Sequence, residues 1–388
     1  MSKRYEPFER AIQHRKEQHR LRSFTESLIC ENPAYITLLG KQLLNASSND
    51  YLNLSTHPEV ISAAQKAVEE YGLGATAARF INGTRLPHLA FEKELAAFQN
   101  RESSLSFTSG YLSNLALLQA LGTRDVGIYV DKLAHHSLTS ASIHSDATVY
   151  RFVHNDLNHL EALLSKHDNE HKLILTEAVF SMDGDQADIN GLCVLAERYD
   201  ALLYIDEAHS FGLFGKHGAG LCVDVPRVDL VGCMFGKALG GVGGALSGSE
   251  LMMQYISNYA GAFIFTTAPS PVMMEALRTS LKLIPSLDSE RTRLQQLSSS
   301  LRSQLQNLGF ETLQSNSQII PVLIGTEQET LDVSRHLRDH GVFAGAIRPP
   351  TVPDGTSRIR LSLTAAHTSE HVDQIVDAFR TWLIKKKS

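Results

Sequence analysis

The sequence is poor in the features that mark several large classes of protein. Of its 388 residues four are cysteine, and Cys30, Cys193, Cys222 and Cys233 lie far apart with no CxxC pair. A chain this long buries enough core to need no disulfide staples, so reduced thiols are expected. There is no basic surplus: 36 Lys and Arg stand against 42 Asp and Glu, a net charge of −6. That excludes a nucleic-acid binder working by phosphate neutralisation. No apolar run approaches the ~18 residues of a membrane span. The opening MSKRYEPFERAIQHRKEQHR has no apolar signal region, so a cytoplasmic location is expected. No HExxH or paired-cysteine spacing points to a metal, and none is expected. What remains, with 43% hydrophobic and 20% charged residues, is an ordinary packed protein and not a disordered, collagenous or coiled-coil one.

Short apolar runs then alternate with stretches of helical period. Strands are predicted at Ser104–Thr108, Gly127–Val130, Thr148–Phe152, Leu173–Thr176, Leu202–Ile205 and Leu230–Met234. Segments such as Leu157–Lys166 and Leu192–Tyr199 are apolar at helical spacing. This alternation predicts an α/β fold, a mostly parallel sheet covered on both faces. Residues 5–22 read as a charged helix. From about residue 272 the texture changes to one long helix, Pro271–Leu305, strands at Gln318–Leu323 and Arg358–Leu363, and a final helix Ser369–Lys385. The expected organisation is an N-terminal helix and arm over 1–48, a large α/β domain over 49–271 and a smaller α+β domain over 272–388. In parallel sheets chemistry gathers outside the carboxyl ends of the strands.

Two strand ends carry suggestive residues. Asp206 closes the Leu202–Ile205 strand, and Lys237 follows Leu230–Met234 within Phe235-Gly236-Lys237-Ala238-Leu239-Gly240-Gly241. Alone, Asp206 serves equally as a helix cap or solvated turn, and Lys237 as a surface lysine beside a glycine turn. Together they form the minimal kit for pyridoxal phosphate. The lysine takes the aldehyde, with desolvation lowering its pKa, and the aspartate keeps the pyridine nitrogen protonated. Thr108-Ser109-Gly110-Tyr111 runs from a strand into a helix, where backbone N–H groups face an anion or simply form a cap. His135, in Asp131-Lys132-Leu133-Ala134-His135-His136-Ser137, reads as a structural hydrogen-bonding group or as a ring stacked on the cofactor.

These strings settle into a resemblance. SSNDYL (47–52), SGYLSN (109–114), DKLAHHS (131–137), TEAVFSMDGD (176–185), DEAHSFG (206–212) and FGKALGG (235–241) resemble the α-oxoamine synthases, fold-type I pyridoxal-phosphate enzymes. The likeness runs in order along nearly the whole chain. It implies a large mostly parallel-sheet domain, a smaller C-terminal domain and an acyltransferase that joins an amino acid to an acyl thioester with decarboxylation. It implies that Lys237 forms the Schiff base and moves the Cα proton, that Asp206 bonds the pyridinium nitrogen and His209 the phenolic oxygen, and that His135 stacks on the ring. Ser109, Gly110 and Tyr111 form the phosphate-side loop, and Ser181 lies near the cofactor. Asn49 and Arg360 hold the amino acid's carboxylate. The family's active sites are shared in a homodimer, so Thr266 and Thr267 reach the partner subunit's phosphate.

Within the family, Ala346–Pro353, Gly355–Leu361, Thr364–His367 and His154-Asn155-Asp156 resemble the branch serving biotin synthesis. That branch joins L-alanine to a pimeloyl thioester of CoA or acyl carrier protein, and Arg22 and Arg348 match arginines that meet the far carboxylate of the pimeloyl chain. Ala77–Thr84 instead resembles the members that use glycine and acetyl-CoA. The set Asp206, His209, Lys237 and Arg360 separates the chain from a catalytically idle cofactor binder, and the lack of GxGxxG from a nicotinamide dehydrogenase. Three positions depart from the family pattern. Met234 replaces a hydroxyl residue that contacts the phosphate, Phe211 replaces a small hydroxyl residue and narrows the pocket, and Asn53 stands where glycine is common.

Overall fold

The computed structural model describes residues 3–24 and 26–387. The chain divides into two units. The larger comprises Asp50–Ser181 and Gln186–Arg291, the smaller Met1–Asn49, Met182–Asp185 and Thr292–Ser388.

The larger unit is built on seven strands: β1 (Ser103–Phe107), β2 (Val126–Asp131), β3 (Thr148–Phe152), β4 (His171–Glu177), β5 (Ala201–Asp206), β6 (Leu230–Met234) and β7 (Gly244–Gly248), in the order β1-β7-β6-β5-β4-β2-β3. Pairing is parallel from β6 through β5 and β4 to β2 and β3, and only β7 runs antiparallel to its two neighbours. Every residue of β2 is buried, which is why the central strands read as unbroken apolar runs instead of alternating ones. Alternation survives only as a choice between two cores. Ile128, Val130, Leu173, Leu175 and Leu230 pack one face with Leu117 and Ile256. Tyr129, Ile174, Leu203, Ile205 and Val231 pack the other with Leu160, Leu164 and Leu195. The α/β class expected from the sequence is the one observed.

β7, sequence GALSG, was not foreseen, and close approach explains why. A Cβ on Gly244 would lie 2.6 Å from the Gly110 Cα, and one on Gly248 2.7 Å from the Asp229 carbonyl oxygen. The strand must be small where backbones crowd it, so its sequence lacks the usual β-branched signal. The predicted helix Pro271–Leu305 is also interrupted, into Pro271–Leu283, a 3₁₀ turn Ile284–Ser286 and Asp288–Asn307. Pro285 in that turn has no N–H to continue the ladder and disfavours helix at the residue before it.

In the smaller unit the N-terminal helix is Glu6–Glu17, shorter than the predicted 5–22. A four-stranded sheet of Ser27–Ile29, Tyr35–Leu38, Lys41–Asn45 and Val342–Phe343 was not predicted. Its hairpin turns through Leu39 and Gly40, both at positive φ (50° and 75°). Leucine there hides the Asn-Gly or Asp-Gly signature of such a turn. A three-stranded sheet pairs Ile319–Gly325, Ser357–Ser362 and Gly345–Ile347. The predicted final helix Ser369–Lys385 is observed as Ser369–Lys387, and Lys386 Nζ pairs with Glu329 at 2.6 Å. Among the described residues no helix is long and apolar enough to cross a membrane.

One buried ion pair fastens an irregular loop of the larger unit. The Arg79 guanidinium donates to both Glu92 oxygens at 2.6 and 2.9 Å, and Ser106 donates to the same carboxylate through N–H (2.8 Å) and hydroxyl (2.6 Å). Arg79 thereby anchors the segment in which Ala78 bridges Thr267. Removing one partner of a buried pair strands the other charge. Glu92→Ala is therefore expected to lower unfolding free energy by about 3–5 kcal/mol. The double change Arg79→Met with Glu92→Leu should recover most of that loss, as urea denaturation of the three proteins would measure.

Candidate active site

Of the predicted residues of the larger unit, Ser109–Tyr111, His135, Ser181, Asp206, His209 and Lys237 lie at or after the carboxyl ends of its strands, and Thr266 and Thr267 do not. Asp206 ends β5, with 3% of its surface exposed. Its carboxylate accepts hydrogen bonds from Asn114 Nδ2 at 3.0 Å and from the Ala208 N–H at 2.9 Å. Asn114 sits on helix α1 (Gly110–Leu121) and also donates to Ser137 Oγ at 2.9 Å, while the Tyr204 hydroxyl donates to its Oδ1 at 2.5 Å. Tyr204 lies two residues before Asp206, so both project from the same face of β5. It has room because residue 232 on β6 is glycine: a Cβ there would stand 2.0 Å from the Tyr204 oxygen.

The network continues to His135, whose Nδ1 lies 2.7 Å from Ser137 Oγ and accepts the Ser137 N–H at 3.2 Å, capping helix α2 (His136–Ile143). Lost hydration pushes the His135 imidazole below its ordinary pKa; the charge of Asp206 opposes this, and that of Lys237 adds to it. His135, Asp206 and Lys237 therefore share one electrostatic neighbourhood. Lys237 is half-buried at the head of the loop after β6. The loop closes on itself through Gly240 N–H to Lys237 O (2.8 Å) and Gly241 N–H to Phe235 O (2.9 Å), with Gly240 at φ 68°.

The N-terminus of α1 supplies an anion-ready turn. Ser109 caps it by accepting the Leu112 N–H at 3.1 Å, Gly110 opens it and Tyr111 is exposed beside His136. Met234 packs beneath this turn. A Cβ on Gly110 would meet its sulfur at 2.0 Å, and the Ser113 hydroxyl donates to that sulfur at 3.8 Å. His209 is buried, its Nδ1 2.6 Å from the Tyr51 hydroxyl. Ser181 is buried in the stretch after β4. Thr266 and Thr267 lie beyond the short helix Gly261–Ile264, with Thr267 bridged to Ala78.

The remaining candidates belong to the smaller unit. Arg360 donates to Asn49 Oδ1 at 3.2 Å. Arg22 donates to Thr351 Oγ1 at 2.9 Å, and Arg348 to the His19 carbonyl. Burial lowers the Arg348 pKa and the nearby Arg22 charge lowers it further, against the pull of Glu327. Arg20 close by in sequence is instead paired, with Glu327 (2.6 Å) and with Asp354.

Sequence reasoning missed Tyr51, Asn114, Ser137 and Tyr204. Tyr51 and Asn114 stood inside quoted strings, but their long-range partners left no local trace. The structure corrects one expectation: Phe211 does not line an open pocket but is 3% exposed, edge-on to Phe98 at 5.8 Å between ring centroids. Asn53 adopts φ 56°, a left-handed conformation asparagine tolerates, which accounts for its place where glycine is common.

The model of the family described as aminotransferase class I and II matches residues 41–379. The chain belongs to this family. Among its relatives in the family, an 8-amino-7-oxononanoate synthase of Cellvibrio japonicus is 39% identical over 373 residues, covering 95% of this chain and 93% of the relative. One of Gluconacetobacter diazotrophicus is 38% identical, covering 97% and 96%. Among solved structures, serine palmitoyltransferase from S. paucimobilis with a bound PLP–myriocin aldimine superposes with TM-score 0.91 at 26% identity, covering 97% of each chain. An 8-amino-7-oxononanoate synthase from Francisella tularensis superposes with TM-score 0.77 at 25% identity, covering 89% of this chain and 99% of that one. The resemblance to α-oxoamine synthases and the fold-type I architecture expected from the sequence are both borne out.

Next to Asp206 in this family member stands a second buried acid. Glu207, 1% exposed, is pushed up to about 7 by burial, against the pull of hydrogen bonds from the Cys222 N–H (3.1 Å) and the Ser210 hydroxyl (3.1 Å). The folded protein then holds this proton more tightly than the unfolded chain. Its stabilising contribution is complete below the ordinary glutamate value of 4.5 and is lost as pH rises through about 7. Glu207→Gln keeps an oxygen acceptor without the titration. Across that window the wild type should lose roughly 3 kcal/mol relative to the variant, read from denaturation curves at several pH values.

Proposed function

We propose that this protein is an 8-amino-7-oxononanoate synthase of biotin synthesis, a pyridoxal-phosphate-dependent acyltransferase. It condenses L-alanine with a pimeloyl thioester and releases carbon dioxide and the free thiol carrier, CoA or acyl carrier protein. One observation carries the reading: a buried Asp206 that accepts hydrogen bonds from the neutral donors Asn114 and Ala208 N–H, one strand away from the loop bearing Lys237. Such a carboxylate is suited to a cationic partner, and a protonated pyridine nitrogen is one. The capped N-terminus of α1 suits a phosphate equally well. The residues present therefore fit the cofactor.

When bound, pyridoxal phosphate supplies an aldehyde for Lys237 and a ring that accepts negative charge from the amino acid's Cα. Asp206 keeps the ring nitrogen protonated, and Asn114 and the Ala208 N–H hold Asp206 in place. The Lys237 amine carries the proton to and from Cα. His209, oriented by Tyr51, bonds the phenolic oxygen. His135 would stack on the ring, with Ser137 fixing its orientation. Ser109, Gly110 and Tyr111 take the phosphate, with Ser181 near the cofactor. Asn49 and Arg360 take the alanine carboxylate.

Arg348 and Arg22 receive the far carboxylate of the pimeloyl chain. Two neighbouring cations that repel each other gain from an anion placed between them, and burying that carboxylate without one would cost several kcal/mol. Thr266 and Thr267 extend the phosphate site of a second subunit in a homodimer. Phe80, Ile81 and Phe265 support this: 56%, 81% and 85% exposed, they surround the Ala78–Thr267 bridge and would be covered by a partner. The protein works in the cytoplasm, and its partners are small thioester and amino-acid substrates, not nucleic acid or membrane.

Purified protein should take up pyridoxal phosphate and turn yellow, and Lys237→Ala should abolish the band. A wild type that stays colourless with added cofactor sinks the reading. In a panel of alanine, glycine and serine against pimeloyl, acetyl and long-chain thioesters, alanine with the pimeloyl donor should win. Glycine with acetyl-CoA winning would place the chain with the family members that Ala77–Thr84 resembles. Arg348→Ala should raise KM for the pimeloyl thioester by about 10- to 100-fold, the worth of one charged hydrogen bond, and leave acetyl transfer unchanged.

A further inference from the structure

Three parallel strands of the larger unit end in buried acids: β2 at Asp131, β4 at Glu177 and β5 at Asp206, exposed by 0%, 1% and 3%. Two of them are well supplied with donors. Asp131 accepts the Leu133 N–H (2.8 Å) and the Asn155 N–H (3.0 Å) and lies 3.1 Å from His154 Nδ1. Asp206 accepts from Asn114 and Ala208. Glu177 is different. Its Oε1 is sealed from solvent with no hydrogen-bond partner among the described residues.

Glu177 and Asp206 are directly aligned in the β4–β5 ladder, so their side chains leave the sheet on the same face, one strand spacing apart. The titratable groups that interact with Glu177 are Asp206, Lys237, Asp131 and Tyr204, and the His135 backbone N–H donates a hydrogen bond toward it. Two neighbouring carboxyls in a dry site do not both ionise. The charge settles where hydrogen bonds stabilise it, and here that is Asp206. Burial, and next the Asp206 charge, hold Glu177 well above the usual carboxylate range.

We propose that Glu177 is a positioning residue, the uncharged acid of an acid–carboxylate pair with Asp206, which leaves Asp206 as the single negative charge of the pair facing the cofactor. The inference rests on the cofactor reading above, but its tests separate from it. If Glu177 were ionised, a second negative charge beside Lys237 would stabilise the protonated nitrogen of its linkage to the cofactor. Neutralising Glu177 would then lower the pH at which that nitrogen titrates. If Glu177 is already neutral, its amide isostere changes little.

The infrared difference spectrum between cofactor-free wild type and Glu177→Gln, in heavy water at neutral pH, should show loss of a carboxylic-acid carbonyl band. Loss of carboxylate bands instead overturns the proposal. In the loaded enzyme, the pH titration of the Lys237–cofactor absorbance should agree between wild type and Glu177→Gln within about 0.3 pH unit; a downward shift of about one unit or more overturns it. Glu177→Ala opens space for water beside Asp206 and should raise the pyridoxal-phosphate dissociation constant on the order of tenfold, with Glu177→Gln restoring it to within about twofold. An alanine variant that binds the cofactor like wild type removes the positioning role. Should that variant not fold, the glutamine comparisons decide alone. A wild type that takes up no pyridoxal phosphate counts against the cofactor reading, and the infrared arm still reports the protonation of Glu177.

Discussion

The larger unit is arranged around one electrostatic constraint: a carboxylate, Asp206, is held out of water and accepts hydrogen bonds from neutral donors. Burying a charge this way is costly unless neutral donors replace its hydration. The structure supplies them from two directions, Asn114 across from α1 and the Ala208 N–H from the turn that follows β5. Asn114 is itself held by Tyr204, and Tyr204 fits only because Gly232 leaves its hydroxyl room. The demand of one charge thus propagates into the identity of a residue on the next strand. The same amide reaches Ser137 and through it His135, so the acid and the imidazole are oriented by one group.

That chain of dependence explains which parts of the molecule could be read from sequence. The central strands announce themselves because burial on both faces demands continuous apolar runs, as in Val126–Asp131. Asp206 and Lys237 stand out because charge at the end of such a run is anomalous. β7 is silent because crowding by Gly110 selects glycine over strand formers. The Leu38–Lys41 hairpin is silent because leucine occupies a left-handed position. Asn114 and Tyr51 could not be found by spacing: the bonds they make span 92 and 158 residues. Sequence periodicity reports a residue's own element; it does not report what that residue meets across the fold.

The arginines of the smaller unit show the same limit from another side. Arg20, Arg22 and Arg348 are indistinguishable by type, yet Arg20 is paired with Glu327 and Asp354, while Arg348 feels Arg22 as a like charge and Glu327 only at longer range. A positive pair held against its own repulsion stores electrostatic free energy that an incoming anion releases, whereas a saturated arginine offers little. On the proposed function, Arg348 and Arg22 rather than Arg20 are therefore the arginines left for a substrate anion.

Met234 bears on the proposed phosphate site. A hydroxyl at that position would donate a hydrogen bond; a thioether only accepts, and weakly. The sulfur instead fills the space under α1, against Gly110, Gly244 and the Ser113 hydroxyl. A side chain at residue 110 would collide with it and one at 244 would collide with the Gly110 backbone, so the methionine and the two glycines form one packing unit. On the proposed function, the donors left for a phosphate on this side would be backbone N–H groups of the first turn, kept in register by the Ser109 cap. Backbone donors are fixed by the helix and lose no side-chain entropy on binding. A site that loses one flexible hydroxyl but keeps a rigid, well-packed turn gives up a single hydrogen bond while retaining the preorganisation that makes the remaining ones count.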